Sequence, residues 1–266
     1  MPLAKINGQE IYFEDSGGKG PALVFMHGFL MDQSLFDFQV KMLSPDYRCI
    51  RWDARCFGRT KWDGRPFNLY DSVKDCFGLM DFLQIDSAIL VGMSQGGYCA
   101  LRAALTQPKR VKALVLMSTQ SGVDPDQLKA AFRETRDSWM QSGPTDPLIE
   151  GLATVLLGPK GDPGMETHWN NWLPKWKKIP AINIFHAMNN LLERDEITHR
   201  VQEIHCPVLV THGADDHCLP VTLAEELSKK LLNCRGLVIS PGAHAVNMTH
   251  PENINPGLKQ FLDNLA

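Results

Sequence analysis

Ser94 lies in the run GMSQGG at residues 92–97, between two segments of different character. The apolar residues 88–91 before it are typical of a buried strand, and residues 98–105 after it have helical spacing. Glycines two positions before and two positions after a serine allow a tight strand-to-helix turn, from which the hydroxyl projects at the edge of a sheet. The pattern therefore predicts that Ser94 is a nucleophile.

A serine hydroxyl needs a base, and a third group that orients the base, before it attacks at neutral pH. Two later segments supply these residue types, and each follows an apolar run that reads as a strand. Asp216 lies in HGADDHCLP at residues 212–220, and His244 ends PGAH at residues 241–244. The chain order Ser94, Asp216, His244 is expected when all three lie at the carboxyl ends of successive parallel strands. We expect a Ser-His-Asp triad.

Other residues compete for these roles. Asp215 is the main alternative to Asp216, but motif spacing favours Asp216. Asp124, which follows the apolar run 111–116, is a remoter candidate. We interpret His27 as a structural histidine that braces its own loop rather than as a second base.

Metal and nucleotide chemistry are disfavoured by spacing. Residues 212–217 contain histidines and aspartates, which are metal-ligand residue types, but no H-E-x-x-H or similar helical spacing accompanies them. No G-x-G-x-x-G lies on a strand-to-helix turn, and the glycine-rich residues 17–21 lack the spacing of a phosphate loop. We therefore expect no metal and no cofactor.

The elements that would position these residues alternate between short apolar runs and longer stretches with helical spacing, which is typical of a parallel sheet with crossover helices. The strand-like runs are residues 11–13, 22–26, 49–52, 88–91, 111–116, 207–210 and 237–239. Helices are expected near residues 34–43, 70–84, 96–107, 221–232 and 254–265. The alternation stops between residues 122 and 203, which read as several helices without a strand. The sequence thus predicts a core of residues 1–121 and 204–266, with a helical insertion at 122–203 in the same domain.

Composition limits the partners. The chain has 266 residues and a formal net charge of −3, so nothing electrostatic favours binding to nucleic acid or anionic lipid. No apolar run approaches the about 20 residues that span a bilayer, and the N-terminus lacks the apolar stretch of a signal peptide. The seven cysteines contain no C-x-x-C pair, which favours free thiols. We expect a cytoplasmic protein without nucleic-acid or membrane partners.

Five motifs in order resemble the α/β-hydrolase superfamily over nearly the whole chain. They are His27-Gly28-Phe29, residues 53–60, the turn at Ser94, residues 213–220, and Gly242-Ala243-His244. The resemblance implies the α/β-hydrolase fold, a mostly parallel eight-stranded sheet flanked by helices, with a helical cap inserted after the sixth strand. Within the superfamily the chain is similar to small cofactor-free esterases, enol-lactonases and perhydrolases. These relatives imply Ser94 as nucleophile, His244 as base and Asp216 as orienting acid.

The surroundings of Ser94 follow from the same motifs. Acyl transfer forms an oxyanion that needs two backbone N–H donors. By position these are the N–H groups of Phe29 and of Gln95, which begins the helix after the nucleophile. The side chains of Leu30 and Met93 are candidates for apolar walls of the substrate pocket.

Tryptophans are concentrated in the expected cap. Trp169, Trp172 and Trp176 have i, i+3, i+7 spacing, although Pro174 interrupts the run. Such a stripe either packs the cap onto the core or forms an aromatic roof over the substrate, and the spacing fits both. Trp139, Trp169 and Trp172 are therefore candidate substrate contacts.

Cys56 departs from the resemblance, because relatives usually have glycine at this position of the loop. His217 also departs from it, because relatives often have proline or arginine there.

The reaction we expect is hydrolysis of a small to medium hydrophobic carboxylic ester or lactone through an acyl-enzyme. The same triad supports carbon–carbon bond hydrolysis and perhydrolysis, and a ligand sensor that retains the pocket is a non-enzymatic alternative. The motifs leave the natural substrate and the oligomeric state open.

Overall fold

The structure is a computed structural model that describes residues 3–265. Within these residues eight strands form one sheet in the order β1-β2-β4-β3-β5-β6-β7-β8. They are β1 (Leu3–Ile6), β2 (Gln9–Asp15), β3 (Ala22–Met26), β4 (Arg48–Trp52), β5 (Ala88–Met93), β6 (Val111–Met117), β7 (Val208–Gly213) and β8 (Cys234–Ser240). Strand β2 is antiparallel to β1 and β4, and all other neighbours are parallel. The expected mostly parallel eight-stranded sheet is confirmed.

The central strands were recognisable because they are buried on both faces. Strand β5 has the sequence AILVGM and is buried along its whole length. Parallel strands covered by helices on both sides have such continuous apolar runs rather than an alternating pattern. Strand β1 lies at the edge of the sheet and alternates between exposed and buried residues, and a search for apolar runs therefore missed it.

Ten α-helices accompany the sheet within residues 3–265. They are α1 (Asp37–Leu43), α2 (Leu69–Phe82), α3 (Gln95–Thr106), α4 (Asp126–Ser142), α5 (Asp146–Leu157), α6 (Met165–Trp176), α7 (Ala181–Leu192), α8 (Val221–Lys230), α9 (Val246–Thr249) and α10 (Pro251–Asp263). Helices α2, α3 and α8 share one buried apolar cluster with the sheet, and α1, α9 and α10 belong to a second cluster. No helix in this part of the chain is long and apolar enough to cross a membrane.

Helices α4 to α7, the four-helix segment, lie between β6 and β7, and no strand interrupts this described stretch. Helix α4 packs against α7, and α5 packs against α6. Gly143 follows α4 with φ of 71° and Gly158 follows α5 with φ of 102°, backbone conformations that favour glycine. Pro174 lies inside α6 without ending it. The helical insertion is therefore present, while its division from the core at residues 122 and 203 stays a prediction.

Candidate active site

Ser94 occupies the turn between β5 and α3 with φ of 52° and ψ of −116°, a strained backbone conformation for a residue other than glycine. The flanking glycines make the turn possible. A Cβ on Gly92 would overlap the backbone of Gly96, and a Cβ on Gly96 would overlap the carbonyl group of Met26 in β3. The N–H of Ser94 donates to the carbonyl of Met117 at 2.9 Å, which ties the turn to β6. The tight strand-to-helix turn predicted from GMSQGG is present.

His244 follows β8 and Asp216 follows β7, so both side chains lie at the carboxyl end of the sheet. Nδ1 of His244 lies 2.7 Å from Oδ2 of Asp216, and both residues are buried. Oδ1 of Asp216 accepts the backbone N–H groups of Cys218 and Leu219, each at 2.9 Å. Because an ionised carboxylate only accepts hydrogen bonds, Nδ1 of His244 carries the proton and Nε2 is left as an acceptor.

The charge state of Asp216 follows from its partners. Burial by itself raises the pKa of this carboxyl group, but the nearby charge of His244 and hydrogen bonds from His212, His244 and Leu219 oppose it. Together they hold the pKa of Asp216 well below its ordinary value. The group is therefore an ionised carboxylate at neutral pH, as the orienting acid of a histidine base must be.

The competing aspartates have other partners. Asp215 accepts a backbone N–H from the loop that precedes His244, at 3.1 Å. Asp124 is paired with Arg194, with Nη2 of the arginine 2.8 Å from Oδ1 of the aspartate. Of the three aspartates considered from the sequence, Asp216 is the one that contacts His244.

His27 braces the loop after β4. Its Nε2 accepts the backbone N–H of Ala54 at 2.9 Å, and its Nδ1 lies 2.8 Å from the carbonyl oxygen of Gly28. These contacts agree with the structural role that we expected for this histidine.

Among the residues that the structure describes, no group of three or more His, Cys, Asp or Glu side chains is arranged to hold a metal ion.

Ser94 and His244 both line a cavity of about 380 Å³ between the sheet and the four-helix segment. Phe29 and Tyr98 line it beside them. Most of the remaining wall is apolar and comes from α4, α5 and α7, through Leu128, Ala131, Phe132, Leu148, Leu152, Val155, Leu156, Met188 and Leu191. The sequence did not identify these residues, because helical spacing does not tell which apolar face covers the core and which faces a cavity. The cavity offers an apolar molecule a place beside Ser94.

A buried ion pair forms a polar part of the same cavity. The side chains of Arg194 and Asp124 are 1% and 3% exposed. The guanidinium group also lies over the ring of Tyr98, 4.5 Å from its centroid, and Nε2 of Gln120 donates to the carboxylate at 2.9 Å. Tyr98 lies in α3, one helical turn after Ser94, so the ion pair is close to Ser94. No local sequence pattern indicates this pair, because its members are 70 positions apart.

The expected oxyanion donors, Phe29 and Gln95, lie beside Ser94. Gln95 begins α3 directly after Ser94, and Phe29 lines the cavity. A Cβ on Gly28 would lie 2.6 Å from Sδ of Met93 and 3.2 Å from Cβ of Ser94. The missing side chain therefore lets the loop that carries Phe29 pack directly against the turn. The assignment of the N–H groups of Phe29 and Gln95 stays a prediction.

The other candidates for substrate contacts do not line the cavity that Ser94 and His244 share. They are Leu30, Met93, Trp139, Trp169 and Trp172, all buried members of one apolar cluster. The indole N–H of Trp169 donates to the carbonyl of Gly158 and that of Trp172 to Sδ of Met248, each at 3.0 Å. The tryptophan stripe packs the four-helix segment onto the core, which was one of the two interpretations. Spacing could not separate them, because a helix face that packs and one that binds have the same period.

Cys56 takes a backbone conformation that normally favours glycine, with φ of 77°. Its side chain is buried, and burial raises the pKa of its thiol. Its carbonyl accepts the side-chain N–H of Asn183 in α7 at 2.9 Å. The loop after β4 is thus joined to the four-helix segment at Cys56.

Comparisons with known proteins agree with this fold. A family model described as the alpha/beta hydrolase fold matches residues 21–154. A non-heme chloroperoxidase of Streptomyces lividans is 30% identical, in an alignment that covers 96% of this chain and 97% of that protein. An esterase structure from Thermogutta terrifontis has a TM-score of 0.91 at 23% identity and covers 100% of this chain and 99% of its own. The enol-lactonase structure from Burkholderia xenovorans LB400 has a TM-score of 0.91 at 20% identity, with 98% and 100% covered.

Proposed function

Because the chain belongs to the α/β-hydrolase family, we propose that it is a serine hydrolase acting on small to medium hydrophobic carboxylic esters or lactones. One observation carries the proposal. Ser94 and His244 line the same apolar cavity, and Nδ1 of His244 lies 2.7 Å from Oδ2 of the ionised, buried Asp216. A nucleophile, an oriented base and an apolar binding space therefore occur together at one place.

The proposed reaction has two halves. Nε2 of His244 takes the hydroxyl proton of Ser94 while Oγ attacks the substrate carbonyl carbon, and the carbonyl π electrons move onto oxygen. The N–H groups of Phe29 and Gln95 stabilise this oxyanion. When the tetrahedral intermediate collapses, the bond to the leaving oxygen breaks and His244 returns its proton to that oxygen. Water, deprotonated by the same histidine, then attacks the acyl-enzyme and releases the acid and the free serine.

The substrate class follows from the cavity. Its walls from α4, α5 and α7 are apolar, and its volume of about 380 Å³ suits an acyl group of modest size. We propose that residues 122–203 act as a cap in the enzyme, since they supply these walls while residues 1–121 and 204–266 supply the triad. The esterase and enol-lactonase names of the two solved structures favour esters and lactones as the first compounds to test.

Peracid formation is a second candidate, favoured by the chloroperoxidase name of the 30% identical relative. In that reaction hydrogen peroxide, instead of water, attacks the acyl-enzyme. The products are a peracid and the free serine, with the proton again passing through His244. Hydrolysis remains the primary proposal because it needs no reactant besides the ester and water.

The test is a hydrolysis panel of 4-nitrophenyl esters with acyl chains from two to twelve carbons and of five- and six-membered lactones. Peracid formation from acetate and hydrogen peroxide is measured beside it. We expect Ser94→Ala and His244→Ala each to lower kcat by about 10³-fold or more while circular dichroism stays unchanged. Near-normal hydrolysis by a folded Ser94→Ala variant would refute the mechanism. A fluorophosphonate probe should label the wild type at Ser94, as mass spectrometry of the tryptic peptide would detect.

A further inference from the structure

His212 is a second histidine on the acid of the proposed triad. It lies in β7 and is 0% exposed. Its Nε2 is 2.7 Å from the carbonyl oxygen of Leu219 and 3.2 Å from Oδ2 of Asp216. Oδ2 of Asp216 is also the atom that contacts Nδ1 of His244. One carboxylate oxygen is therefore shared by two buried imidazoles.

The proton of His212 can be assigned from its neighbours. Both atoms next to Nε2 are oxygen acceptors, so Nε2 carries a hydrogen, which it donates to the carbonyl of Leu219 while Oδ2 of Asp216 lies 3.2 Å away. Nδ1 of His212 is buried and has no hydrogen-bond partner among the described residues. Its polar contacts with these residues thus run through the single N–H that faces Leu219 and Asp216.

Four N–H groups surround the carboxylate of Asp216. Oδ1 accepts from the backbone of Cys218 and Leu219, Oδ2 accepts from His244, and Nε2 of His212 lies 3.2 Å from Oδ2. A donor on Oδ2 both fixes the carboxylate plane and neutralises part of the charge that His244 experiences. If that donor is removed, the charge stabilises the imidazolium form of His244, which then keeps its proton to higher pH.

We propose that His212 is a positioning residue that acts through Asp216: it orients the carboxylate and keeps His244 in its free-base form at lower pH. The proposal rests on the proposed hydrolase function, because it concerns the base of that reaction. The sequence grouped His212 with metal-ligand residue types, and this role gives it a purpose without a metal.

Other titratable and charged groups surround Asp216 and His244 and contribute to their pH dependence. The acid loop contributes Asp215, His217 and Cys218, α3 contributes Tyr98, the ends of the four-helix segment contribute Asp124 and Arg194, and His250 lies beside the loop of His244. All of them remain in the variants below. A shift between two variants at position 212 is therefore attributable to that position.

The test compares His212→Gln with His212→Met. The glutamine amide nitrogen is three bonds from Cβ, as Nε2 of histidine is, so it can donate to Leu219 and Asp216. Methionine has nearly the same length and no donor. We expect the acid limb of the log kcat/KM profile to move up by about 0.5–1 pH unit in His212→Met, about three- to tenfold in proton binding. In His212→Gln it should return to within about 0.3 pH unit of the wild type.

The controls separate the possible failures. His199→Met removes an exposed histidine that does not line the cavity and should leave the profile unchanged. If His212→Met does not fold, His212→Asn replaces it, because its amide is too short to reach Asp216. Identical acid limbs in the donor and non-donor variants would overturn the role of His212 while Ser94→Ala remains inactive. An active Ser94→Ala variant would instead refute the proposed function itself.

Discussion

Breaking the ion pair between Arg194 and Asp124 is expected to be costly. Arg194 donates to both oxygens of Asp124 at 2.8 Å, to the carbonyl of Gly122 at 3.1 Å and to that of Leu191 at 2.8 Å. In Arg194→Met the carboxylate of Asp124 keeps the side chain of Gln120 as a donor. The carbonyl groups of Gly122 and Leu191 each lose a donor. A buried charge that loses its partner costs about 3–5 kcal/mol. We expect a loss of that size in the free energy of unfolding.

The double variant Arg194→Met/Asp124→Leu tests whether the cost comes from a stranded charge. Replacing both members of a buried pair by apolar residues of similar size is often neutral or even stabilising. The double variant should therefore recover at least half of the loss caused by Arg194→Met. The matched surface control is Arg200→Met, whose pair with Glu203 has side chains 37% and 53% exposed. It should cost at most about 1 kcal/mol.

Urea unfolding followed by tryptophan fluorescence measures all three variants, since the chain has six tryptophans. The free energies are compared at equal slopes of the linear extrapolation. A loss below about 1 kcal/mol in Arg194→Met would refute the reasoning, because a stranded buried carboxylate is expected to cost several times more. A double variant less stable than Arg194→Met would refute it as well.

Three further predictions concern the site. Gly96→Ala should lower the melting temperature and should lower kcat by about 100-fold or more, because the added Cβ would overlap a carbonyl of β3. The control is Gly161→Ala, whose Cβ would lie in open space. Gly151→Leu places a side chain into the open space beside the cavity and should lower kcat/KM for octanoyl esters by about tenfold more than for acetyl esters; equal losses for both would contradict it. The depressed pKa of Asp216 contributes stability that is present above its unfolded value of about 3.9 and is lost as pH falls through the lower folded value. Asp216→Asn should therefore cost more stability at pH 7 than at pH 3 in urea unfolding, and a constant cost would count against this.

The turn at Ser94 could be predicted because its geometry leaves few residue types possible. Backbone overlap excludes a side chain at positions 92 and 96, so the turn requires glycine at both, and both glycines are visible in the sequence. The contact between Asp216 and His244 was predictable for a related reason. Both residues follow strands whose carboxyl ends meet at one edge of the sheet.

The cavity could not be predicted, because it depends on how helices pack. Leu152 and Trp169 both have helical apolar spacing, but Leu152 lines the cavity and Trp169 belongs to the packing between the four-helix segment and the core. Arg194 gave no signal, since its partner Asp124 lies on the other side of the insertion and nothing local indicates the pairing. His212 carried a signal of residue type alone, and only its contact with Asp216 gives that signal a meaning.

The two ends of the insertion are tied together. The N–H of Ile197 donates to the carbonyl of Ser121 at 3.3 Å, and Oγ of Ser121 lies 3.0 Å from Oγ1 of Thr198. The pair of Arg194 and Asp124 closes the same junction from inside. A segment whose ends meet can change length at small entropic cost, because closure entropy grows only slowly with loop length. An exchange of the helices between residues 126 and 192 would therefore keep this junction, provided that the new helices pack on the core as the tryptophan stripe does.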